Sequence, residues 1–290
     1  MKTKKVAFCF SGQARTLDLC YPYIKNNLLD PLGKNKKDYD IFCCVENDED
    51  AYKVNILNPV KTLRVSSTDF SKEVKNLLKS NQDRFFCRTT NNWFNNHLNQ
   101  LKKIFLSNKL REEYQKANKI KYDWVFRIRF DIFPLNKVDY PNLNPKYLYS
   151  IQKIQSTELC CNDMIALSSE KNLNIYSDQI NNITETIELF FLKQKKVSWK
   201  ISFFLEKIYT SFFEFFIKRS KKRKFFYKLL HLMIGLKEFI FVSPPQGDTY
   251  FAESGLFRYL KKRGIKNKIL PIDCILVREK RIHSVFISPR

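Results

Sequence analysis

The stretch YDWVFRIRFDIFP, from Tyr122 to Pro134, gives the strongest evidence on the fold. Its first half is consecutively apolar, which is typical of a strand buried on both faces of a parallel sheet. From Arg127 onward the pattern alternates, and a period of two places Arg127, Arg129 and Asp131 on one face of the strand. Pro134 is expected to end the pairing of this strand, because proline has no backbone N–H to donate.

Charges at the end of a buried strand need partners, because burying an unpaired charge is costly. Two interpretations therefore stand for Arg127, Arg129 and Asp131. Either they form an internal ion-pair network, or they face a polyanionic ligand, directly or through a metal ion.

The composition indicates a globular and strongly basic protein. The chain has 290 residues, is 44% hydrophobic and 15% aromatic, and carries a formal net charge of +23. Its hydrophobic content argues against disorder, and its charge favours nucleic acid, an anionic membrane surface or a phosphorylated substrate as partner. There are eight cysteines without a C-x-x-C pair and only three histidines, so no zinc pattern is present and a reducing, cytoplasmic compartment is expected.

Strand and helix patterns alternate along the chain, which predicts an α/β fold with a parallel, doubly wound sheet. Besides the opening stretch, strands are predicted at 5–10, 39–45, 60–65, 147–154 and 269–277. Helices are predicted from the turn after the first strand to residue 32 and at 70–80, 169–182 and 250–263, with one long helix or two at 93–119.

The segment Ser11-Gly12-Gln13-Ala14-Arg15-Thr16 joins the first strand to the first helix. A helix N-terminus at this place offers backbone N–H groups to an anion, and Arg15 would add a cation. The alternative is a plain turn with a surface arginine, since neither G-x-G-x-x-G nor the Walker pattern is present.

Two further carboxylates are candidates for chemistry. Asp163 interrupts an apolar run, so it is either capped locally by backbone N–H groups or functional. Glu253 lies in the first turn of a predicted amphipathic helix, where the helix dipole favours a carboxylate.

An aromatic and basic segment occupies residues 188–242, with a dense basic cluster at 218–224. Charged residues interrupt its aromatic face, so it is a poor bilayer span. Three interpretations remain: a membrane interface with anionic lipid, a helical hairpin packed on the domain, and nucleic-acid binding.

In their order and spacing, five motifs resemble a nucleotide-sugar glycosyltransferase of the GT-A type, of the branch found in capsule and lipopolysaccharide gene clusters and in some large viruses. They are VAFCFSGQARTL, YDIFCCVENDED, YDWVFRIRFDIFP, CNDMIALSSEKNLNIYSD and FAESGLFRYLKKRGIK. The resemblance implies a Rossmann-like GT-A fold with a mostly parallel central sheet. It divides the chain into a nucleotide-sugar-binding core at 1–184, a helical basic and aromatic insertion at 185–243 and a C-terminal part of the catalytic domain at 244–290.

The resemblance also implies an activity, the transfer of a sugar from a nucleoside diphosphate donor to a glycan or lipid-linked acceptor. Donor binding would fall to Ser11, Gly12, Gln13, Arg15, Arg127, Arg129 and Asp131. Asp163 would act as base or acceptor ligand, with Glu253 as second candidate. GT-A enzymes typically use Asp-x-Asp, whereas this chain reads R-x-R-x-D. The negative charge of the donor's diphosphate would be neutralised either by a divalent cation, Mn²⁺ or Mg²⁺, bound to Asp131, or by arginine alone.

These expectations place the protein in the cytoplasm, peripheral on an anionic membrane surface, without a nucleic-acid partner. A rival hypothesis is a non-catalytic basic protein that binds anionic lipid or nucleic acid. Another is a different phosphate-handling Rossmann-like enzyme, such as a sulfotransferase or nucleotidyltransferase. That enzyme would need a phosphate loop richer in Gly, Lys or Ser than SGQARTL.

Overall fold

The computed structural model describes residues 5–32, 39–80, 91–151, 164–191, 249–278 and 281–286. The first helix, which begins at Leu17, continues into a π turn and a 3-10 turn up to Leu32. The described elements are β1 (Val6–Gly12), α1 (Leu17–Ile24), β2 (Tyr39–Glu46), β3 (Lys61–Val65), α2 (Ser71–Ser80), α3 (Asn91–Asn118), β4 (Trp124–Ile128), β5 (Ile132–Pro134), β6 (Tyr147–Ser150), β7 (Ile165–Ser168), α4 (Glu170–Ser177), α5 (Ile183–Phe191), α6 (Thr249–Lys262), β8 (Lys266–Ile269), β9 (Cys274–Arg278) and β10 (Arg281–Phe286).

The strands form a central sheet and a small second sheet. The central sheet has the order β3-β2-β1-β4-β7-β6-β8, and the small sheet has the order β10-β9-β5. Strands β3, β2, β1 and β4 are mutually parallel, and β7 runs antiparallel to both of its neighbours. The prediction of a Rossmann-like α/β fold with a mostly parallel central sheet is confirmed.

Strand β1 shows how the alternating pattern divides the core between the two faces of the sheet. Phe8 and Phe10 lie in the apolar cluster that includes the buried residues of α1, and Phe8 stacks on Phe126 with 5.3 Å between ring centroids. Ala7 and Cys9 point to the opposite face, where they join the cluster formed with α3, α4 and α6. Both faces are therefore covered by helices, as a parallel sheet requires.

The opening stretch is not a single strand, as the sequence predicted, but two strands in different sheets. Strand β4 ends at Ile128, residues 129–131 turn, and β5 joins the small sheet. Pro134 is the last residue of β5, as expected, and it lies opposite Cys274 as the final pair of the β5–β9 ladder. Strand β5 is at the edge of its sheet, where a missing N–H is tolerated.

The C-terminal region differs from its prediction in a similar way. The strand predicted at 269–277 is divided between β8 and β9, and β10 was not predicted. The helix predicted at 250–263 is confirmed as α6, which is followed by Gly264 with φ +74°, a C-terminal cap. Helix α5 packs beside α6, and Glu185 bonds both Lys262 and Arg263. The start of the predicted insertion thus contacts the core.

Most of the aromatic and basic segment at 188–242, including its basic cluster, lies outside the described residues. Within the part of the chain that the structure describes, no helix is long and apolar enough to cross a membrane.

Candidate functional site

The candidate site lies where the loops after β1 and β4 meet. Strand β1 pairs in parallel with β2 on one side and β4 on the other, and Phe10 lies opposite Ile128. Both strands therefore end at the same edge of the sheet. In the order β3-β2-β1-β4, the strands β2 and β3 follow β1 on one side, and β4 lies on its other side. The winding of the chain therefore reverses between β1 and β4, and ligands of open α/β sheets bind in the crevice at such a point.

Four of the predicted donor-site residues lie at the end of β1 and in the loop after it: Ser11 and Gly12 end the strand, and Gln13 and Arg15 follow. Ser11 is 1% exposed, and its hydroxyl has no hydrogen-bond partner among the described residues. Gly12 has φ +132°, a backbone conformation that residues with a Cβ rarely adopt. Gln13 is exposed and Arg15 is half-buried. The Arg15 carbonyl accepts a hydrogen bond of 2.6 Å from Lys53 Nζ, which holds this loop against the segment after β2.

The turn after β4 contains a two-point ion pair. Arg129 Nε donates to Asp131 Oδ1 at 2.7 Å, and Arg129 Nη2 donates to Asp131 Oδ2 at 2.6 Å. Both side chains are largely buried, with 14% and 5% of their surfaces exposed. This is the internal ion pair that the sequence offered as one of two interpretations. Its fork geometry fixes the plane of the guanidinium.

Arg127 is almost completely buried, at 1% exposure. Its Nη1 donates to the Met164 carbonyl at 2.7 Å, and the Arg129 backbone N–H donates to the same oxygen at 3.2 Å. Arg127 lies opposite Cys9 in the β1–β4 ladder. Burial raises the pKa of the Cys9 thiol to about 12, although the charges of Arg111 and Arg127 act in the opposite direction. The predicted contact of Arg127 with a diphosphate stays a prediction.

A residue that the sequence did not indicate, Val277 of β9, joins the two loops. The Thr16 hydroxyl donates to the Val277 carbonyl at 3.0 Å, and the Val277 N–H donates to the Asp131 carbonyl at 3.0 Å. Thr16 and Val277 are 261 positions apart in the chain. No local pattern marks such a contact, because it depends only on the backbone of Val277.

Helix α3 supplies further polar residues beside this edge. Glu46, the last residue of β2, forms an ion pair with Lys103 and accepts a hydrogen bond of 3.0 Å from Ser67 Oγ. Arg129 Nη1 makes a contact of 3.5 Å with Gln100 Oε1. Sequence reasoning used α3 only for its apolar positions, and the same helical period could have placed Gln100 and Lys103 together on one side, since they are three residues apart.

Comparison with known proteins identifies the family. A family profile described as "Domain of unknown function (DUF7796)" matches residues 1–181, more than half of the chain. The protein belongs to the DUF7796 family. The match includes β1 to β7 and ends before β9. No curated protein sequence matches this DUF7796 protein.

Among solved structures, the DUF7796 protein is similar to mouse xyloside xylosyltransferase 1 in its apo form. The identity is 10% and the TM-score 0.32, over 63% of this chain and 72% of the other. It is also similar to the apo form of the glycosyltransferase GlyE from Streptococcus pneumoniae TIGR4. The identity is 11% and the TM-score 0.31, over 66% of this chain and 39% of the other. The chain thus spans about two fifths of the length of GlyE. At this level of similarity, the function has to be argued from the residues of the site itself.

Two predicted catalytic residues of the DUF7796 protein receive no side-chain geometry. Asp163 lies outside the described residues. The backbone of Glu253 lies in α6. Both stay predictions.

The predicted divalent cation has a poor ligand set in the described part of the DUF7796 protein. Both oxygens of Asp131 accept hydrogen bonds from Arg129. Within the residues that the structure describes, no group of three or more His, Cys, Asp or Glu side chains could hold a metal ion. The predicted Mn²⁺ or Mg²⁺ on Asp131 stays a prediction, and the paired arginine is suited to an anionic ligand.

Proposed function

We propose that this protein is a glycosyltransferase that binds a nucleoside diphosphate sugar at the edge between β1 and β4. The observation that carries the proposal is the Arg129–Asp131 pair, because it places an oriented cation at the topological switch point of the sheet. The motifs that resemble GT-A glycosyltransferases include both loops of this site.

Sugar transfer needs stabilisation of the negative charge that develops on the departing diphosphate. Arginine is suited to this because its five N–H donors let one guanidinium hold a carboxylate on one edge and phosphate oxygens on another. Asp131 fixes the guanidinium of Arg129 through two hydrogen bonds, of 2.7 and 2.6 Å. The cation is thus oriented before the reaction, and no reorganisation is needed as charge develops.

The loop after β1 is proposed to hold the other side of the diphosphate. Gly12 adopts φ +132°, and α1 begins with Leu17 a few residues later. Backbone N–H groups at a helix N-terminus favour an anion. Arg15 lies in the same loop and brings a second cation, with Ser11 and Gln13 as polar neighbours.

Arg127 is proposed to hold the backbone beside the site in place. Its contact with the Met164 carbonyl holds the chain just before β7. Asp163 directly precedes Met164 in the sequence and is proposed as the base or acceptor ligand, with Glu253 as the second candidate. An Asp163→Asn variant that transfers sugar at the wild-type rate would contradict this role.

The acceptor is proposed to be a glycan or a lipid-linked glycan, reached from an anionic membrane surface through the basic cluster at 218–224. This part rests on the sequence alone. Replacing the six Lys and Arg residues of the cluster by Ser and Gly should reduce co-sedimentation with phosphatidylglycerol vesicles. Unchanged co-sedimentation would contradict the membrane anchor while leaving the donor site intact.

The activity is tested by nucleotide release from a panel of UDP-, GDP- and CMP-linked sugars, with and without a mixture of cell-surface glycans as acceptor. At least one donor should release its nucleotide in the wild type and not in Arg129→Gln. Arg64→Gln, at an exposed position of β3, is the matched control. No release from any donor, or equal release by both variants, would contradict the proposal.

A further inference from the structure

We infer that Thr16 is a positioning residue, which fixes Asp131 relative to the loop after β1 by way of the backbone of Val277. The inference rests on the proposed function and deepens it. It assigns the completion of the donor site to β9, a strand beyond the part of the chain that matches the family profile.

The linkage consists of two hydrogen bonds that use both backbone groups of one residue. Thr16 Oγ1 donates to the Val277 carbonyl at 3.0 Å, and the Val277 N–H donates to the Asp131 carbonyl at 3.0 Å. Thr16 is 3% exposed and Asp131 is 4% exposed, so both ends of the linkage are shielded from water. The Val277 carbonyl is half-buried, so losing its donor costs part of the desolvation penalty of a fully buried group.

The surroundings of the Cys20 thiol agree with a short separation between Asp131 and the start of α1. Burial raises the pKa of Cys20 to about 12, while its hydrogen bond with Thr16 lowers that pKa and the charge of Asp131 raises it. One side chain of α1 therefore interacts with both Thr16 and Asp131.

The β5–β9 ladder makes this linkage stiff. Ile132 lies opposite Leu276, so the Val277–Asp131 bond continues the regular pairing of the two strands into the turn after β4. Without the Thr16 hydroxyl, β9 would still pair with β5, and Phe133 of β5 would still pack on Tyr23 of α1. The direct hydrogen bond between residue 16 and β9 would be lost, and the inference is that the two halves of the diphosphate site are then held less precisely.

The test compares Thr16→Val, which removes the hydroxyl but keeps the shape, with Thr16→Ser, which keeps the hydroxyl. The control is Thr186→Val, since Thr186 is also buried and donates to a backbone carbonyl, that of Asn182, at 3.0 Å in α5. Amide hydrogen exchange of residues 274–278 and the Kd of UDP, GDP and CMP are measured for all four proteins, with unfolding by urea as a check of global stability.

Thr16→Val should exchange the Val277 amide faster and should weaken nucleotide binding by about threefold to tenfold, the equivalent of one hydrogen bond. Thr16→Ser should restore both values, and Thr186→Val should change neither, whatever its effect on global stability. If the role of Thr16 were only structural, Thr16→Val would lower global stability. It would then not differ from Thr186→Val in the exchange of the Val277 amide or in nucleotide affinity.

The inference and the proposed function fail in different ways. If the wild type binds none of the nucleotides, the proposed donor site is contradicted. If the wild type binds a nucleotide and Thr16→Val binds it equally well, with unchanged exchange at Val277, the positioning role of Thr16 alone is contradicted.

Discussion

Arg129 and Asp131 face each other across the turn after β4 through two hydrogen bonds, of 2.7 Å from Nε to Oδ1 and 2.6 Å from Nη2 to Oδ2. They are only two residues apart, and the turn rather than a continuing strand brings them together. A carboxylate held in this way orients a cation at the sheet edge where β1 and β4 diverge. The proposed diphosphate site is built around this relationship.

Arg127 has a structural contact whose loss should be measurable. We expect Arg127→Met to lower the free energy of unfolding by about 1–3 kcal/mol, because the buried Met164 carbonyl loses a charged donor. Urea unfolding followed by circular dichroism measures this change.

The control for Arg127 is Arg64→Met on β3, where the side chain is exposed. It should change the free energy of unfolding by less than about 0.5 kcal/mol. Equal effects of the two variants would show that the buried contact of Arg127 does not stabilise the fold.

Gly12 combines a special backbone conformation with a position in the proposed site. No atom lies within 4 Å of a Cβ built at Gly12, so the cost of Gly12→Ala comes from its φ of +132° alone. We expect a loss of about 1–3 kcal/mol in the free energy of unfolding, together with weaker nucleotide binding.

Gly264→Ala is the matched control for Gly12, since Gly264 also has a positive φ, of +74°, and open space around a Cβ. It should lose stability and bind nucleotides like the wild type. Weaker nucleotide binding in Gly264→Ala as well would indicate a global effect, and would contradict a specific role of the Gly12 loop.

Glu185 should make stability depend on pH. Its hydrogen bonds with Arg263 and Lys262 lower the pKa of the carboxyl from 4.5 to about 2. A carboxyl with a lowered pKa stabilises the folded state fully above its unfolded pKa, and this contribution is lost as the pH falls from about 4.5 towards about 2. Because the groups are partly exposed, we expect about 1 kcal/mol or less at neutral pH.

The measurement for Glu185 is the difference in Tm between the wild type and Glu185→Gln as a function of pH. The difference should be largest at neutral pH and should shrink in acid. Glu188→Gln, at an exposed position of the same helix, is the control. A difference that stays constant from neutral pH into acid would contradict the assigned pKa shift.

The sequence was sufficient for the architecture but not for the site geometry. Apolar runs predicted β1, β2 and the first half of β4, and helical spacing predicted α2, α3 and α6, because these patterns reflect burial directly. The resemblance assigned residues of the loops after β1 and β4 to one donor site, but the sequence did not indicate that these two strands are neighbours.

The rest depended on long-range contacts that leave no local pattern. Alternation of residues did not reveal that the strand ends at Ile128, since Arg129 to Ile132 continue the same alternation through a turn and into the edge of another sheet. The contact of Thr16 with Val277 involves a backbone carbonyl, so any residue at position 277 would serve. The sequence likewise did not indicate that β7 runs antiparallel to its neighbours, because the direction of a strand depends on how the chain connects it to the rest of the sheet.

The most direct test of the central claim is isothermal titration of UDP, GDP and CMP into the wild type, Asp131→Asn and Asp139→Asn in the presence of EDTA. Asp139 is exposed and bonds only locally, to Asn142 at 2.6 Å among the described contacts, which makes it a matched control. We predict that UDP or GDP binds the wild type and Asp139→Asn alike, and that Asp131→Asn binds at least about tenfold more weakly, since its arginine is no longer held in a charged fork. Absence of binding to the wild type, or equal affinity of the two variants, would contradict a diphosphate site at Arg129 and Asp131.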